Sequence, residues 1–369
     1  MAIPQELTEE ETKQLIQLVR KTQFDYKLSQ YEDEALKEIN KSTLKARQEI
    51  SQKLKTINPE STFTKERLEA LSEELQDLTV ASQAQITGEI IQVATTAGAA
   101  SYAEHNDILS FGGLVPNFNP VTLSAAQLYS MVVETPIGGK LLSEWVSDTF
   151  SNALQETIKL EIMTGMLKGE GYRELVKRFD DVAFPMFERN VETLTRSYVQ
   201  SVNVQAMEDV AKANADIVKG QKWSSVCENR TCMICMSLDA KNKVYPIGEG
   251  PTMPAHPRCR CIWEIITKTF REMGVDINEI EEAYRPYTIR GTVDPITGKV
   301  SPGKIGVGGG KVIGTGRFLG DYDSFFKGLS PAVQTQMLGP GRYDLWKSGA
   351  IKLSDLTDAA GNLKLLKEL

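Results

Sequence analysis

The amino-acid sequence predicts a mainly α-helical protein with a small α+β module that cysteine and histidine ligands hold together. Apolar residues recur at helical spacing through most of the first two hundred positions. All five cysteines fall between Cys227 and Cys261, and one of only two histidines, His256, lies among them. Proline at the first helical position in Ser330-Pro331 opens a further helix near the end of the chain. We therefore expect a helical N-terminal region, a β-hairpin Cys/His knot and a small C-terminal helical tail.

The first hundred residues predict long helices. Thr8 precedes three glutamates, which suits a helix N-cap followed by an acidic first turn. An amphipathic pattern then continues to Asn58-Pro59, where the proline ends it. A second leucine pattern starts after this break, and residues 83–105 form a helix rich in small side chains. We expect His105 to lie at the surface, at the end of that helix.

Shorter helices are predicted next, over about 123–133, 137–168 and 171–181. A long helix follows from about 185 to 218 and ends before Gly220. The sequence pattern changes after Gly220, and Trp223 is predicted to lie on a strand. A returning strand is predicted from Cys261 onward, with a hairpin between the two cysteine groups.

The region after the cysteines predicts a helix over 277–286, a hairpin over 291–304 and a flexible glycine-rich linker over 306–316. The linker is not a phosphate-binding Walker A loop, because Val312 stands where that motif needs serine or threonine. The predicted domain divisions are 1–135 for the helical region, 136–268 for the core with the knot, 269–316 for hairpin and linker, and 317–369 for the C-terminal module.

Composition limits the function classes. The chain has 369 residues, of which 41% are hydrophobic and 25% charged, and its net charge is -7. This balance fits a soluble globular protein and argues against a general nucleic-acid binder. No run approaches the ~18 apolar residues that a membrane span needs. The N-terminus lacks a signal-peptide core, so we expect reduced thiols.

The cysteine segment predicts a structural zinc site. Cys232 and Cys235 form a CxxC pair, and an HPxCxC group follows with His256, Cys259 and Cys261. Tetrahedral zinc takes four such ligands, commonly as two close pairs. We expect about one zinc per chain, bound by Cys232, Cys235, His256 and either Cys259 or Cys261. Cys227 then remains a spare thiol.

Other interpretations of these residues are weaker. Five is an odd number for disulfides, and nothing in the sequence suggests secretion. A thioredoxin-like CxxC needs a βαβ setting, and a zinc deaminase needs an HxE motif that the chain lacks. A catalytic zinc with an open position stays an alternative, with Glu264 or Asp239 as general base of a metal-dependent nuclease or protease.

Three features together resemble the phage head morphogenesis family, the Mu F-like minor head proteins. They are the helix with Arg196 followed by Trp223 and the CxxC-LDA string, the HPxCRC group, and a tail that reads FFKGLSPAVQTQMLGPGRYDLWKSG and then SDLTD. The resemblance covers about 140–265 and the tail. Cys227 stands where an aspartate is common in the family, and Ala240 where a glycine is common. Neither change removes a predicted ligand.

The resemblance implies a structural minor head protein, not an enzyme, that lies inside the virion after assembly in the host cytoplasm. Its expected partners are the portal protein, the major capsid or scaffold protein, and further copies of itself. Residues 1–200 are expected to bind the portal. Residues 296–369 carry ten basic and six acidic residues, which suggests contact between this basic C-terminal tail and packaged double-stranded DNA. The expected roles are head assembly and DNA packaging or ejection.

Overall fold

The computed structural model of the chain describes residues 8–55, 65–137, 139–168, 172–277, 284–293, 300–302, 311–319 and 321–369. The chain divides into two compact units. A helical unit comprises 30–99 and 123–202. A second unit comprises 1–29, 100–122 and 203–369, and we call it the metal-bearing unit after the metal site predicted in it. The four predicted domain divisions stay a prediction.

The helical part follows from the helical spacing of apolar residues in the first two hundred positions. Its helices are α1 Glu9–Lys55, α2 Lys65–Ser110, α3 Ala125–Glu134, α4 Leu142–Ser147, α5 Gln155–Leu167, α6 Tyr172–Arg178 and α7 Phe184–Ala213. The Thr8 hydroxyl accepts a hydrogen bond from the Glu11 amide at 3.1 Å, which confirms the predicted N-cap of α1. The mainly helical fold class is therefore confirmed.

The helical unit is built on an apolar core. Its described members include Ile39, Ile50, Ile86, Ile90, Val132, Val146, Ile158, Phe179, Phe184, Phe187, Val191 and Tyr198, each at most 3% exposed. Two ionic groups tie α1 to the later helices: Arg196 contacts Glu32 at 2.5 Å, and Arg47 contacts Asp180 at 2.8 Å.

The metal-bearing unit contains a small antiparallel sheet. Strands β1 Val218–Ser224, β2 Val244–Tyr245 and β3 Ile262–Thr267 pair in the order β2-β1-β3. A Cβ at Gly220 would lie 2.4 Å from the Tyr245 carbonyl oxygen, so the close approach of β2 requires glycine here. Trp223 lies on β1 and Trp263 on β3, as predicted, and their rings pack edge to face at 5.3 Å.

A helix replaces the predicted hairpin between the two cysteine groups. Residues Met233–Ala240 form helix α8, and Cys232 is its N-cap. The CxxC pair therefore follows a strand and opens a helix, but β1 and β3 are antiparallel, which excludes the βαβ setting of a thioredoxin-like site.

Three further strands form a second antiparallel sheet. They are β4 Tyr284–Val293, β5 Val300–Pro302 and β6 Lys311–Leu319, in the order β5-β4-β6. The β4–β5 pairing confirms the predicted hairpin. Two predictions are wrong in part: 284–286 are strand where a helix was expected, and 311–316 are strand where a linker was expected. The other residues of the predicted helix and of the predicted linker lie outside the described residues, apart from Ile277, which is irregular.

The C-terminal module consists of α9 Tyr322–Lys327, α10 Pro331–Leu338, α11 Pro340–Lys347 and short 3₁₀ turns. Proline opens α10 as predicted. Its buried core also includes Cys227 and Met236, which belong to the cysteine segment. Among the helices that the structure describes, none combines the length and apolar character that a bilayer crossing requires.

Candidate metal centre

The five predicted ligands converge on one place in the metal-bearing unit. They form two triads, Cys232, Cys235, His256 and Cys235, Cys259, Cys261, and the ligand atoms within each lie within 4.8 Å of one another. Cys235 belongs to both triads. The turn before β3 supplies one group of donors and the start of α8 supplies the other, so the sheet and the helix together position the cluster.

The distances fit the chemistry of a metal that prefers thiolate and imidazole ligands. Tetrahedral bonds of ~2.3 Å to sulfur and ~2.0 Å to nitrogen would separate two sulfurs by about 3.8 Å and a sulfur from a nitrogen by about 3.5 Å. The Cys235 and Cys259 sulfurs are 3.8 Å apart. His256 Nε2 lies 3.2 Å from the sulfurs of Cys232 and Cys235. These groups could therefore hold a metal ion.

Backbone groups orient the donors. His256 Nδ1 lies 2.8 Å from the carbonyl oxygen of Pro257, so a proton on Nδ1 leaves Nε2 as the donor that faces the sulfurs. The Cys235 amide donates to the Cys232 sulfur at 3.5 Å, which favours a thiolate there. The Cys259 amide donates to the His256 carbonyl at 3.1 Å and closes the turn in which Arg258 has a φ of 61°.

The pKa values reflect strong mutual hydrogen bonding. The pKa of Cys232 is lowered to about 4, chiefly by a hydrogen bond with Cys235 and further by His256. The pKa of His256 is raised to about 11, chiefly by its hydrogen bond with Cys232. Hydrogen bonds with Cys235 and Cys261 lower the pKa of Cys259, whereas burial raises the pKa of Cys261.

Cys261 has a different hydrogen-bond setting from the other four donors. Its thiol donates to the Ser225 hydroxyl at 3.4 Å, and that hydroxyl donates to the Cys235 carbonyl at 3.0 Å. The Ser225 amide in turn donates to a carboxylate oxygen of Asp239 at 2.6 Å. Asp239 is 4% exposed, so this carboxylate fixes the loop after β1 rather than facing solvent.

An ion pair with a fully buried carboxylate joins the two loops that carry the ligands. Glu228 precedes α8 and has no exposed surface, and its carboxylate contacts the Arg260 guanidinium. Arg230 also approaches this carboxylate, at 3.6 Å. Loss of Arg260 would deprive the buried Glu228 carboxylate of its nearer cation, so this pair constrains the distance between the loops.

The C-terminal module packs on the same helix that carries the CxxC pair. The Thr357 amide donates to the Ser237 hydroxyl at 3.1 Å, and the two hydroxyls lie 2.9 Å apart. Lys241 at the end of α8 contacts the Asp358 carbonyl. Tyr322 is fully buried in the core that Met236 and Cys227 share with the module. The helix therefore links the metal donors to the last fifty residues.

Other residues that the sequence singled out lie apart from the donor groups. Glu264 is on β3 and contacts Lys222 at 3.7 Å. Cys227 is buried in the apolar core, so it is a packing residue there. His105 is not at the surface as predicted: it is 8% exposed and lies 2.9 Å from the Asn203 side-chain oxygen. Sequence reasoning missed Ser225, Glu228 and Ser237, because only their three-dimensional contacts reveal their roles.

Comparison with known proteins supports the predicted resemblance. Residues 156–264 match the family model described as Phage Mu protein F like protein, and the match includes all five predicted metal ligands. It confirms the resemblance to the Mu F-like head morphogenesis family. No curated protein and no solved structure matches the chain. The family suggests a structural protein of the phage head and a place in the virion, consistent with a protein that is not an enzyme.

Proposed function

We propose that this protein is a minor component of the phage head that binds the portal vertex inside the capsid and assists assembly and DNA packaging or ejection. The observation that carries the proposal is the Mu F-like match over 156–264, which spans both the later helices of the helical unit and the metal centre. The long helices would supply the protein contacts, and the metal would stabilise a module with a small sheet.

The proposed metal is one structural zinc ion, bound by Cys232, Cys235, His256 and Cys259. The 3.8 Å separation of the Cys235 and Cys259 sulfurs supports Cys259 as the fourth ligand. The hydrogen bond from Cys261 to Ser225 supports a second role for that thiol, as a donor that supports the loop after β1. Four protein ligands would fill the tetrahedral positions, which favours a structural ion over a catalytic one.

Metal analysis tests this ligand set. The purified protein is expected to contain about one zinc per chain. Cys259→Ser should lower the zinc content strongly, because it removes a ligand, whereas Cys261→Ser should retain it. Full zinc content in Cys259→Ser together with its loss in Cys261→Ser would reverse the assignment. Disulfides among these cysteines in freshly purified protein would overturn the site.

The portal contact is proposed for the helical unit, on the exposed face of α5. Leu160 and Met163 are 61% and 43% exposed, and they lie one turn apart within the segment that matches the family. Apolar side chains this exposed on a helix are suited to burial against another protein. The residues at the centre of such an interface contribute most of the binding energy. Two charged side chains at Leu160 and Met163 should therefore weaken portal binding strongly.

Co-purification with the portal protein of the same phage tests this surface in the full-length chain. Leu160→Glu with Met163→Glu should reduce the recovered portal by more than about tenfold. The matched control is Leu44→Glu with Val80→Glu, two positions of the helical unit outside the family match that are 47% and 51% exposed. Equal loss in both doubles, or undiminished binding by the α5 double, would contradict the proposed surface.

The proposed DNA contact lies in the segment before the terminal helices. Residues 296–320 contain four basic residues and no acidic one, whereas 321–369 contain six of each. The positive charge predicted for the tail is therefore concentrated in the glycine-rich stretch and β6. Contacts with major capsid or scaffold protein and self-association are further expectations from the family. The C-terminal module itself is neutral and is proposed to support α8.

A further inference from the structure

A cleft in the metal-bearing unit lies between β3 and the end of α2. Residues 262–265 and 267 of β3 line one side of it. The other lining residues come from the end of α2, the turn at Phe111 and α1, and they include Ile108 and Gln17. The cleft encloses about 640 Å³, including space that is open to solvent, so a ligand can reach it from outside. The described residues that line it all belong to one unit and include none of the predicted metal ligands.

The cleft follows the free long edge of the small sheet. Successive residues of a strand point to opposite faces, yet residues of both faces of β3 line the cleft, which therefore runs along the edge of the strand. The order β2-β1-β3 places β3 at the edge, and no other strand in the described part of the chain pairs with it. In an antiparallel pair, every second residue turns its N–H and C=O away from the partner strand. The cleft is therefore bordered by a row of backbone donors and acceptors.

Two further features of the cleft are typical of a place that holds a ligand. Gln17 is 4% exposed, and its side-chain Oε1 has no hydrogen-bond partner among the residues that the structure describes. A buried acceptor without a donor is unfavourable, and an N–H group from an incoming ligand would satisfy it. Phe111 has a φ of 48°, in the left-handed region that a bulky residue adopts only under strain. Backbone strain of this kind concentrates where proteins hold ligands.

We propose that this cleft binds an extended peptide segment of a partner protein, which adds to β3 as a further antiparallel or parallel strand. Strand addition uses main-chain hydrogen bonds along an exposed sheet edge for affinity and side-chain pockets for specificity. The six residues of β3 span about 20 Å, which matches an extended segment of similar length. A compact small molecule would reach only a few of the backbone groups along this edge.

The side chains of β3 specify the chemistry of the incoming segment. Ile262 and Glu264 point to one face of the strand, and Trp263 and Ile265 point to the other. Opposite charges on neighbouring strands attract each other, as Glu264 and Lys222 of β1 do at 3.7 Å. The segment should therefore alternate apolar residues, beside Trp263 and Ile265, with a basic residue beside Glu264. This proposal does not rest on the portal contact, which was assigned to the helical unit.

Binding of labelled peptides to the full-length chain, measured by fluorescence anisotropy, tests the proposal without changing the protein. The probe is a seven-residue peptide that alternates valine with threonine and has a lysine at its centre. Two further versions have N-methylated amides along one edge or along the other, so each keeps every side chain but cannot donate from that edge. One methylated version should lose more than about tenfold in affinity, and the other should bind nearly as well as the parent peptide. Glutamate in place of the central lysine should weaken binding about two- to fivefold, and Glu264→Gln should remove that difference.

Two protein variants locate the binding edge. Ile108→Trp narrows the cleft from α2 and should weaken peptide binding more than about tenfold. The matched control is Val244→Trp, which adds the same side chain on β2 at the opposite edge of the sheet, where Val244 is 47% exposed, and it should bind like the parent. Bound peptide should also slow hydrogen exchange in 262–267 and leave 244–245 unchanged. No saturable binding, equal binding of both methylated peptides and the unmodified one, or equal loss in the two tryptophan variants would each overturn the proposal.

Discussion

The helical unit and the metal-bearing unit are stabilised by different kinds of interaction. The helical unit buries a contiguous set of large apolar side chains, and its charged groups meet mainly in partly exposed pairs. Around the predicted metal centre the small sheet carries one aromatic cluster, and buried polar groups connect the loops: Ser225, Glu228 and Ser237 are each at most 1% exposed. Loss of one apolar side chain leaves a local cavity, whereas a polar network built around one predicted ion would be lost as a whole.

Removal of a shared ligand should have the largest effect. Cys235 belongs to both donor triads, so Cys235→Ser is expected to abolish zinc binding and unfold the segment around α8. A structural zinc supplies ~10 kcal/mol or more to a small module. Zinc content and hydrogen exchange over 218–267 measure the loss. The comparison is Phe187→Ala in the helical unit, which should cost about 3–5 kcal/mol and leave the zinc content unchanged. Equal zinc loss in both variants would contradict the distinction.

Breaking the buried ion pair should have the next largest effect. Glu228→Gln removes the charge that compensates Arg260, whose side chain is 29% exposed, so we expect a loss of stability of about 3 kcal/mol, at the low end for buried pairs. Glu208→Gln is the matched control, because Glu208 pairs with Lys212 one turn away on α7 at a more exposed position, where the loss should be about 0.3–0.5 kcal/mol. Denaturant unfolding of the two variants compares them. Losses of similar size would show that the buried pair is not a constraint on the ligand loops.

Acid should weaken the metal-bearing unit partly through His105. Burial lowers the pKa of His105 to about 4, whereas its unfolded value is about 6.5. The unfolded chain therefore binds the proton first, and stability falls as the pH decreases from about 6.5 to about 4, by about 3 kcal/mol in total. His105→Gln should remove this part of the slope in unfolding experiments across that range. An unchanged slope would show that His105 does not contribute to the acid sensitivity.

The smallest predicted effect concerns the contact between α8 and the C-terminal module. Ser237→Ala would leave the buried Thr357 amide without its partner, at a cost of about 1–3 kcal/mol. Exchange of amides in 353–357 should increase while those of α7 stay protected. Ser348→Ala, at an exposed hydroxyl that bonds only its own helix end, is the control and should change little. Comparable effects in both would argue against a specific link through Ser237.

The sequence predicted the features that depend on local pattern. Helical periodicity and the Thr8 cap identified the long helices, and the crowding of cysteines identified the metal donors. The helix after Cys232 was missed because it has only eight residues and depends on a cysteine cap and on packing with residues more than a hundred positions later. Strand β6 was missed because glycines obscure its alternation. His105 was misplaced because its partner, Asn203, is distant in the sequence.

Hydrogen exchange before and after zinc chelation tests the central claim most directly, namely that one ion stabilises α8 and, through it, the C-terminal module. We predict that chelation removes protection over 233–240 and 353–357, and that 184–202 of the helical unit stays protected. Protection that persists over 233–240 after complete zinc removal would contradict the account, and so would a loss of protection that extends equally through the helical unit.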